Sequence, residues 1–152
     1  MENKFFSDFH SHCQLKQQIV VSYDKGNPRQ RHIAKNPKRS EIYQYHVDGE
    51  VITNSTERCD WLLLVDDEKK KSAYLIELKG MDVNRAVRQL EATEKILRKA
   101  LTGYDIKYRI IASKTTHSIL STPAVLKAKR KYGDALIIKG GQMIEYVSSH
   151  DV

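Results

Sequence analysis

Two nearly continuous apolar runs dominate the middle of the chain. The first covers residues 61–65 and the second residues 73–78, and every residue of the segment 66–71 between them is charged. Apolar runs of this length are typical of central β-strands that are buried on both faces. A short charged segment between two such runs is typical of an exposed turn. The pattern therefore predicts two buried strands that pair antiparallel.

Weaker patterns around these runs predict further elements. Residues 42–47 are rich in β-forming side chains and lead into Asp48-Gly49, which favours a hairpin with residues 51–52. Between residues 82 and 101 the apolar positions recur with the period of an α-helix. Asp82 is a candidate N-cap for this helix.

Toward the C-terminus, the pattern predicts a buried strand over residues 106–113 and a helix over residues 123–132 that begins with a proline. A second hairpin is predicted there, with strands at 135–139 and 143–147 joined by two glycines. The secondary structure of residues 3–23 stays open. The order of the elements predicts an α/β fold with a mixed central β-sheet flanked by helices.

The composition is that of one soluble domain. The chain has 152 residues, of which 40% are hydrophobic and 30% charged, and this length buries a core without disulfides. The N-terminus lacks an apolar signal core, and no stretch approaches the roughly 20 apolar residues of a membrane span. We therefore expect a single cytoplasmic domain over residues 1–152 that has no membrane partner.

The net charge points to a polyanionic partner. Lys and Arg outnumber Asp and Glu by 26 to 19, which gives a formal charge of +7. The segment 25–40 contains no acidic residue and predicts an exposed basic loop or arm. An ordinary solvated linker is the alternative for this segment. Its basic side chains are Lys25, Arg29, Arg31, Lys35, Lys38 and Arg39.

Glu77 and Lys79 interrupt the end of the second apolar run, and strand periodicity puts both side chains on one face. Burying a charge is costly unless it meets an opposite charge, a metal or water. If the turn is centred at residues 68 and 69, the antiparallel register sets Asp60 opposite Glu77. A divalent cation would relieve their repulsion, and oxygen ligands favour Mg2+ or Mn2+. Ordinary ion pairing at a strand end is the alternative.

Asp60, a hairpin and Glu77-Leu78-Lys79-Gly80 followed by a helix resemble the PD-(D/E)XK nuclease superfamily. This superfamily includes restriction endonucleases, junction resolvases and several repair exonucleases. Its αβββαβ core, known as the restriction endonuclease-like fold, matches residues from about 42 to 113. Cys59 stands where the name of the motif has proline.

The resemblance implies roles for individual residues. Asp60 and Glu77 would bind the metal, and the backbone carbonyl of Leu78 would be a further ligand. Lys79 would orient or activate the attacking water and stabilise charge on the phosphate. Gln89, on the following helix, would support the site. The third acidic residue of the family is open, and with it the choice between one and two metals. Its candidates are Glu41, Glu50 and Glu57.

The implied function is a Mg2+-dependent deoxyribonuclease, with DNA favoured over RNA as substrate. Two other classes remain: a noncatalytic nucleic-acid-binding domain that retains the nuclease fold, and a domain that binds only proteins. A homodimer and a larger protein complex are both compatible with the sequence. The side chains expected to contact nucleic acid are Arg29, Arg31, Lys35, Lys38, Arg39, Arg85 and Arg88.

Two smaller groups of residues have more ordinary interpretations. His10, His12 and Cys13 lie close together without a second pair of ligands, so a polar surface is favoured over a zinc site. Tyr43 and Tyr45 alternate along a strand, where packing within the fold is favoured over stacking on bases.

Overall fold

A computed structural model describes residues 4–53, 57–78 and 82–149. Its strands are β1 (Ile19–Asp24), β2 (Asn27–Lys35), β3 (Glu41–His46), β4 (Trp61–Asp67), β5 (Lys70–Leu78), β6 (Asp105–Ala112), β7 (Leu136–Gly140) and β8 (Gln142–Tyr146). Its α-helices are α1 (Val83–Leu97), α2 (His117–Leu120) and α3 (Pro123–Tyr132). The predicted α/β class is confirmed. No helix in these described ranges is long and apolar enough to cross a membrane.

The main sheet has the strand order β3-β4-β5-β6-β7. β3 and β5 pair antiparallel with β4, whereas β6 pairs parallel with both β5 and β7. This confirms the mixed central sheet. All residues of the two apolar runs are buried, as expected for strands covered on both faces.

The two faces of the main sheet are covered differently. Helices α1 and α3 pack on one face, where Leu90 and Val125 join a core with Leu62 and Leu75. The other face packs against a second sheet with the order β1-β2-β8. The predicted flanking helices therefore lie on one face of the main sheet. The helix that begins the family's αβββαβ core is also missing from residues 4–40, which contain β1, β2 and a short 3-10 turn.

The segment 25–40 is not a loop or an arm for most of its length. Residues 27–35 form β2, the central strand of the second sheet. Its side chains alternate between buried positions such as His32 and Ala34 and outward positions such as Arg31 and Lys35. The sequence interpretation missed this two-residue alternation, because the basic residues occupy the outward positions of a strand that is buried on one face only.

Neither predicted hairpin forms as expected. Asp48-Gly49 does make a turn, with Gly49 at a φ of +89°, but β3 pairs with β4 and not with residues 51–52. At the other glycine pair, β7 joins the main sheet and β8 joins the second sheet. Gly141, with a φ of +78°, lies where the chain passes between sheets. A Cβ on Gly140 would lie 3.2 Å from the backbone of Lys114, so glycine permits this crossing.

Helix α1 follows its sequence signals closely. The carboxylate of Asp82 accepts a hydrogen bond from the amide of Arg85 at 2.9 Å, which confirms the predicted N-cap. The helix ends at Leu97, a turn earlier than the periodicity suggested, and the chain then turns through Gly103 at a φ of +88°. This cap fixes the start of the helix just after β5.

A buried ionic network joins the two sheets. Arg109 of β6 makes a two-pronged contact with Glu145 of β8, with Nε to Oε2 at 2.7 Å and Nη2 to Oε1 at 3.0 Å. His32 of β2 lies 2.6 Å from the same Oε2 through its Nε2. Burial raises the pKa of Glu145, but the hydrogen bonds from His32 and Arg109 outweigh it and lower the pKa to about 2.

We expect Glu145→Gln to lower the free energy of unfolding by about 3 kcal/mol near pH 7, because Arg109 would remain buried without its counter-charge. Folding lowers the pKa of Glu145 from 4.5 to about 2, so this stabilisation is present above about pH 4.5 and is lost as the pH falls toward 2. Urea titrations of both proteins should give curves that converge across this window. A difference independent of pH would contradict the assignment.

Candidate metal centre

The register of β4 and β5 brings two carboxylates together. The ladder is regular from Asp67 with Lys70 to Trp61 with Ile76, which confirms the register predicted from a turn at residues 68–69. Asp60 and Glu77 are the next residues on the two strands. The amide of Asp60 donates to the carbonyl of Ile76 at 3.1 Å, so the pairing becomes irregular at this point.

Glu77 is on the face of the main sheet that packs against α1. Side chains alternate along β5, so Glu77 shares the face of Leu75. Glu77 is completely buried, whereas Asp60 is partly exposed. Burial, followed by the negative charges of Glu77 and Asp60, raises the pKa of the Cys59 thiol. The negative charges of Glu77 and Asp60 therefore both lie close enough to act on the buried thiol of Cys59.

Leu78 is tied directly to Asp60. Its amide donates to Oδ2 of Asp60 at 2.8 Å, which holds this carboxylate beside the end of β5. The resemblance implies that the backbone carbonyl of this same residue is a metal ligand. Lys79 lies outside the described residues, so its place relative to the carboxylates stays a prediction from the sequence.

Helix α1 holds the segment that leads into the site. The hydroxyl of Thr93 accepts a hydrogen bond from the amide of Cys59 at 2.7 Å and donates to the carbonyl of Gln89 at 2.7 Å. Gln89 is buried, and its Nε2 donates to the carbonyl of Arg58 at 3.2 Å. Gln89 therefore supports the backbone that precedes Asp60, which is a positioning role.

Glu41 and Glu57, two candidates for the third acidic ligand, are placed differently. Glu41 lies opposite Asp66, at the far end of the main sheet. Glu57 lies 3.7 Å from Nε of Arg88 on the surface. Within the described ranges, no three His, Cys, Asp or Glu residues form a group that could hold a metal ion. The donors that the resemblance implies are Asp60, Glu77 and the backbone carbonyl of Leu78.

Glu50, the remaining candidate, belongs to a histidine cluster. Its carboxylate lies 3.0 Å from Nε2 of His12 and 3.4 Å from Nδ1 of His46. Partial burial raises the pKa of Glu50, but the hydrogen bond from His12 and the charges of the nearby histidines outweigh it and lower the pKa. The rings of His12 and His46 pack near Trp61, whose side chain is on the sheet face opposite the carboxylate pair.

Some of the basic side chains assigned to nucleic acid lie toward the carboxylate pair. Arg31 is in register with Tyr23, and the carbonyl of Tyr23 accepts a hydrogen bond from Nε1 of Trp61 at 3.1 Å. Trp61 begins β4 at the end where the carboxylates lie. On the helix side, the exposed arginines of α1 lie in its first two turns, close to where β5 ends. This near group is Arg29, Arg31, Arg85 and Arg88.

The other basic side chains lie at the opposite end of the main sheet. Lys35 ends β2, and Lys38 and Arg39 lie just before β3 begins opposite Asp66. Lys38 and Arg39 line a cleft there together with Asp66 and Glu68. The sequence grouped all of these cations in one arm, whereas the structure separates them by the length of β2.

Comparisons with protein-family models, curated proteins and solved structures found no match to this chain. The function is therefore inferred from the residues of the site.

Thr93 is the supporting residue that the sequence interpretation missed. A signal for it exists, because it is a hydroxyl side chain on the buried stripe of α1, among Ala86, Leu90 and Leu97.

We expect Thr93→Val to lower the free energy of unfolding by about 1–3 kcal/mol, because the buried amide of Cys59 would lose its acceptor while the side-chain volume hardly changes. Thr93→Ser keeps the hydroxyl and is the matched control. Urea unfolding followed by circular dichroism measures both variants. Equal losses in both would show that the methyl group, and not the hydrogen bond, is responsible.

Proposed function

We propose that the chain is a cytoplasmic metal-dependent nuclease of the PD-(D/E)XK type that hydrolyses phosphodiester bonds of DNA. The observation that carries this proposal is the approach of two carboxylates where β4 begins and β5 ends: Asp60 accepts a hydrogen bond from the amide of Leu78, and its neighbour Glu77 is completely buried. Two opposed carboxylates repel each other, and a cation between them offsets that cost. Sites that store such repulsion are typical of function rather than stability.

The order of elements around the pair supports the same class. β3, β4, β5, α1 and β6 follow one another as the strand, strand, strand, helix and strand of the αβββαβ core. We take these elements as the restriction endonuclease-like part of the fold.

The donor set fits a hard divalent cation. Two carboxylates and a backbone carbonyl offer oxygen atoms only, which favours Mg2+ or Mn2+ over softer metals. Bound Mg2+ would supply the Lewis acidity that activates a water for attack on phosphorus. Asp60 and Glu77 would hold the cation, Leu78 would add its carbonyl, and Lys79 would stabilise negative charge on the phosphate.

The near group of arginines supports a nucleic-acid substrate. Arg85 and Arg88, close to where β5 ends, would contact phosphates around the scissile bond, whereas Arg29 and Arg31, on the outward side of β2, would contact phosphates farther along the substrate. A noncatalytic nucleic-acid-binding domain would use the same cations, and the exposed basic surface favours it equally. Dependence of cleavage on metal separates these two functions.

We expect Mg2+ or Mn2+ to support cleavage of labelled single-stranded, duplex or branched DNA. Ca2+ should support binding with little turnover, because it accepts looser coordination and activates water less well. The measurement is gel electrophoresis of each substrate with each metal and with EDTA. Cleavage undiminished by EDTA would contradict the metal mechanism, whereas salt-sensitive binding without cleavage would favour the noncatalytic domain.

We expect Asp60→Asn and Glu77→Gln each to abolish cleavage, because each removes a metal-binding charge with almost no change in volume. Lys79→Ala should reduce the rate more than the apparent affinity for metal. Asp66→Asn is the matched control, because Asp66 lies on β4 at the end far from Asp60. This variant should cut normally. Normal cleavage by Asp60→Asn and Glu77→Gln would show that the site is elsewhere.

A further inference from the structure

The outer face of the second sheet carries exposed rings, cations and aliphatic side chains together. Tyr23 and Tyr146 are 44% and 47% exposed, which is unusual for tyrosine side chains on a regular sheet. We call this surface the outer sheet face. Its outward positions are Ile19, Val21 and Tyr23 on β1, Arg29, Arg31, Ile33 and Lys35 on β2, and Gln142, Ile144 and Tyr146 on β8.

The charge of this face has one sign. Its charged side chains are Arg29, Arg31 and Lys35, and no Asp or Glu occupies an outward position in the ranges just given. Glu145, the acidic residue of β8, points between the sheets to Arg109. The face is therefore complementary to a polyanion, and the absence of carboxylates there makes this charge uncompensated locally.

Rings and cations share the same rows across the sheet. Tyr23 is in register with Arg31, whose Nε donates to Oε1 of Gln142 at 2.8 Å. Lys35 is in register with Tyr146, and its Nζ lies 5.6 Å from the centre of that ring. Strand geometry puts the two tyrosines about 16 Å apart on a diagonal. Each ring thus has a cation beside it, at a spacing that a short oligonucleotide spans.

We propose that the outer sheet face binds single-stranded DNA, with Tyr23 and Tyr146 stacking on bases and the cations holding phosphates. Unpaired bases offer their flat faces to aromatic side chains, whereas the bases of a duplex stack on one another. This inference rests on the proposed function only in taking DNA as the substrate. Trp61 Nε1 donates to the carbonyl of Tyr23 from the core between the two sheets, whereas Glu77 shares the face of Leu75 on the α1 side, so the outer sheet face is a binding surface separate from the metal centre.

A second copy of the chain fits this face less well. Two such faces brought together would oppose Arg29, Arg31 and Lys35 to their own copies, in a protein whose formal charge is already +7. A nucleic acid supplies both the negative charge and the flat apolar surfaces that the rings require. Self-association is accordingly one of the outcomes that the test separates.

The test is fluorescence anisotropy of a labelled oligothymidylate with the full chain in EDTA, so that no cleavage occurs. Tyr23→Leu and Tyr146→Leu keep apolar surface but remove the rings, and each should weaken binding by about tenfold. Tyr23→Phe and Tyr146→Phe should bind normally, because the rings remain. Leu126→Ala, an exposed apolar residue on α3, is the control.

Salt dependence tests the cations separately. Replacing Arg29, Arg31 and Lys35 by glutamine should flatten the plot of log affinity against log salt by about 2.1, since each phosphate contact on a single strand contributes about 0.7. Lys95→Gln combined with Lys99→Gln should leave the slope unchanged, because Lys95 is in the last turn of α1 and Lys99 lies just after it, away from the outer sheet face.

The outcomes distinguish this inference from the proposed function. Ring-dependent binding to the oligonucleotide without any metal-dependent cleavage would support the inference and overturn the nuclease. Cleavage with normal binding by the leucine variants would overturn the inference and keep the nuclease. Loss of a dimer in the leucine variants, measured by light scattering without DNA, would also overturn it, because the face would then be an interface between copies.

Discussion

The register between β4 and β5 is the constraint on which the candidate site depends. A tight turn at residues 68–69 makes each rung of this hairpin follow from the one before, up to Trp61 and Ile76. This register brings Asp60 and Glu77 to neighbouring positions at the ends of the two strands. A slip of one residue would send Glu77 to the opposite face of the sheet, because side chains alternate with a period of two.

Helix α1 converts this register into a defined site. Its cap at Asp82 fixes where the helix begins after β5, and Thr93 then reaches the amide of Cys59 on the approach to β4. The carboxylates are consequently enclosed between strand ends and a helix, where their charges are screened less than at the surface. That enclosure makes a cation an effective partner for them.

The second sheet gives the molecule a different kind of surface. Its inner side is held to the main sheet by apolar packing and by the network of Arg109, Glu145 and His32. Because these groups face inward, the outward positions of the same strands are left to side chains that the fold does not need for its core. The two sheets are also joined where Nε1 of Trp61 donates to the carbonyl of Tyr23.

The sequence by itself determined the features that depend on neighbours along the chain: the buried strands β4 and β5, their register up to Trp61 and Ile76, and the cap of α1. Periodicity and a short turn suffice for these. Only the tertiary structure decided that β2 is a strand, that β7 and β8 enter different sheets and that a sheet covers the second face. Arg31 and Gln142 are 111 residues apart in sequence. A pattern of alternate buried positions specifies that a strand has an inner face, but it does not specify which distant strand covers or pairs with it.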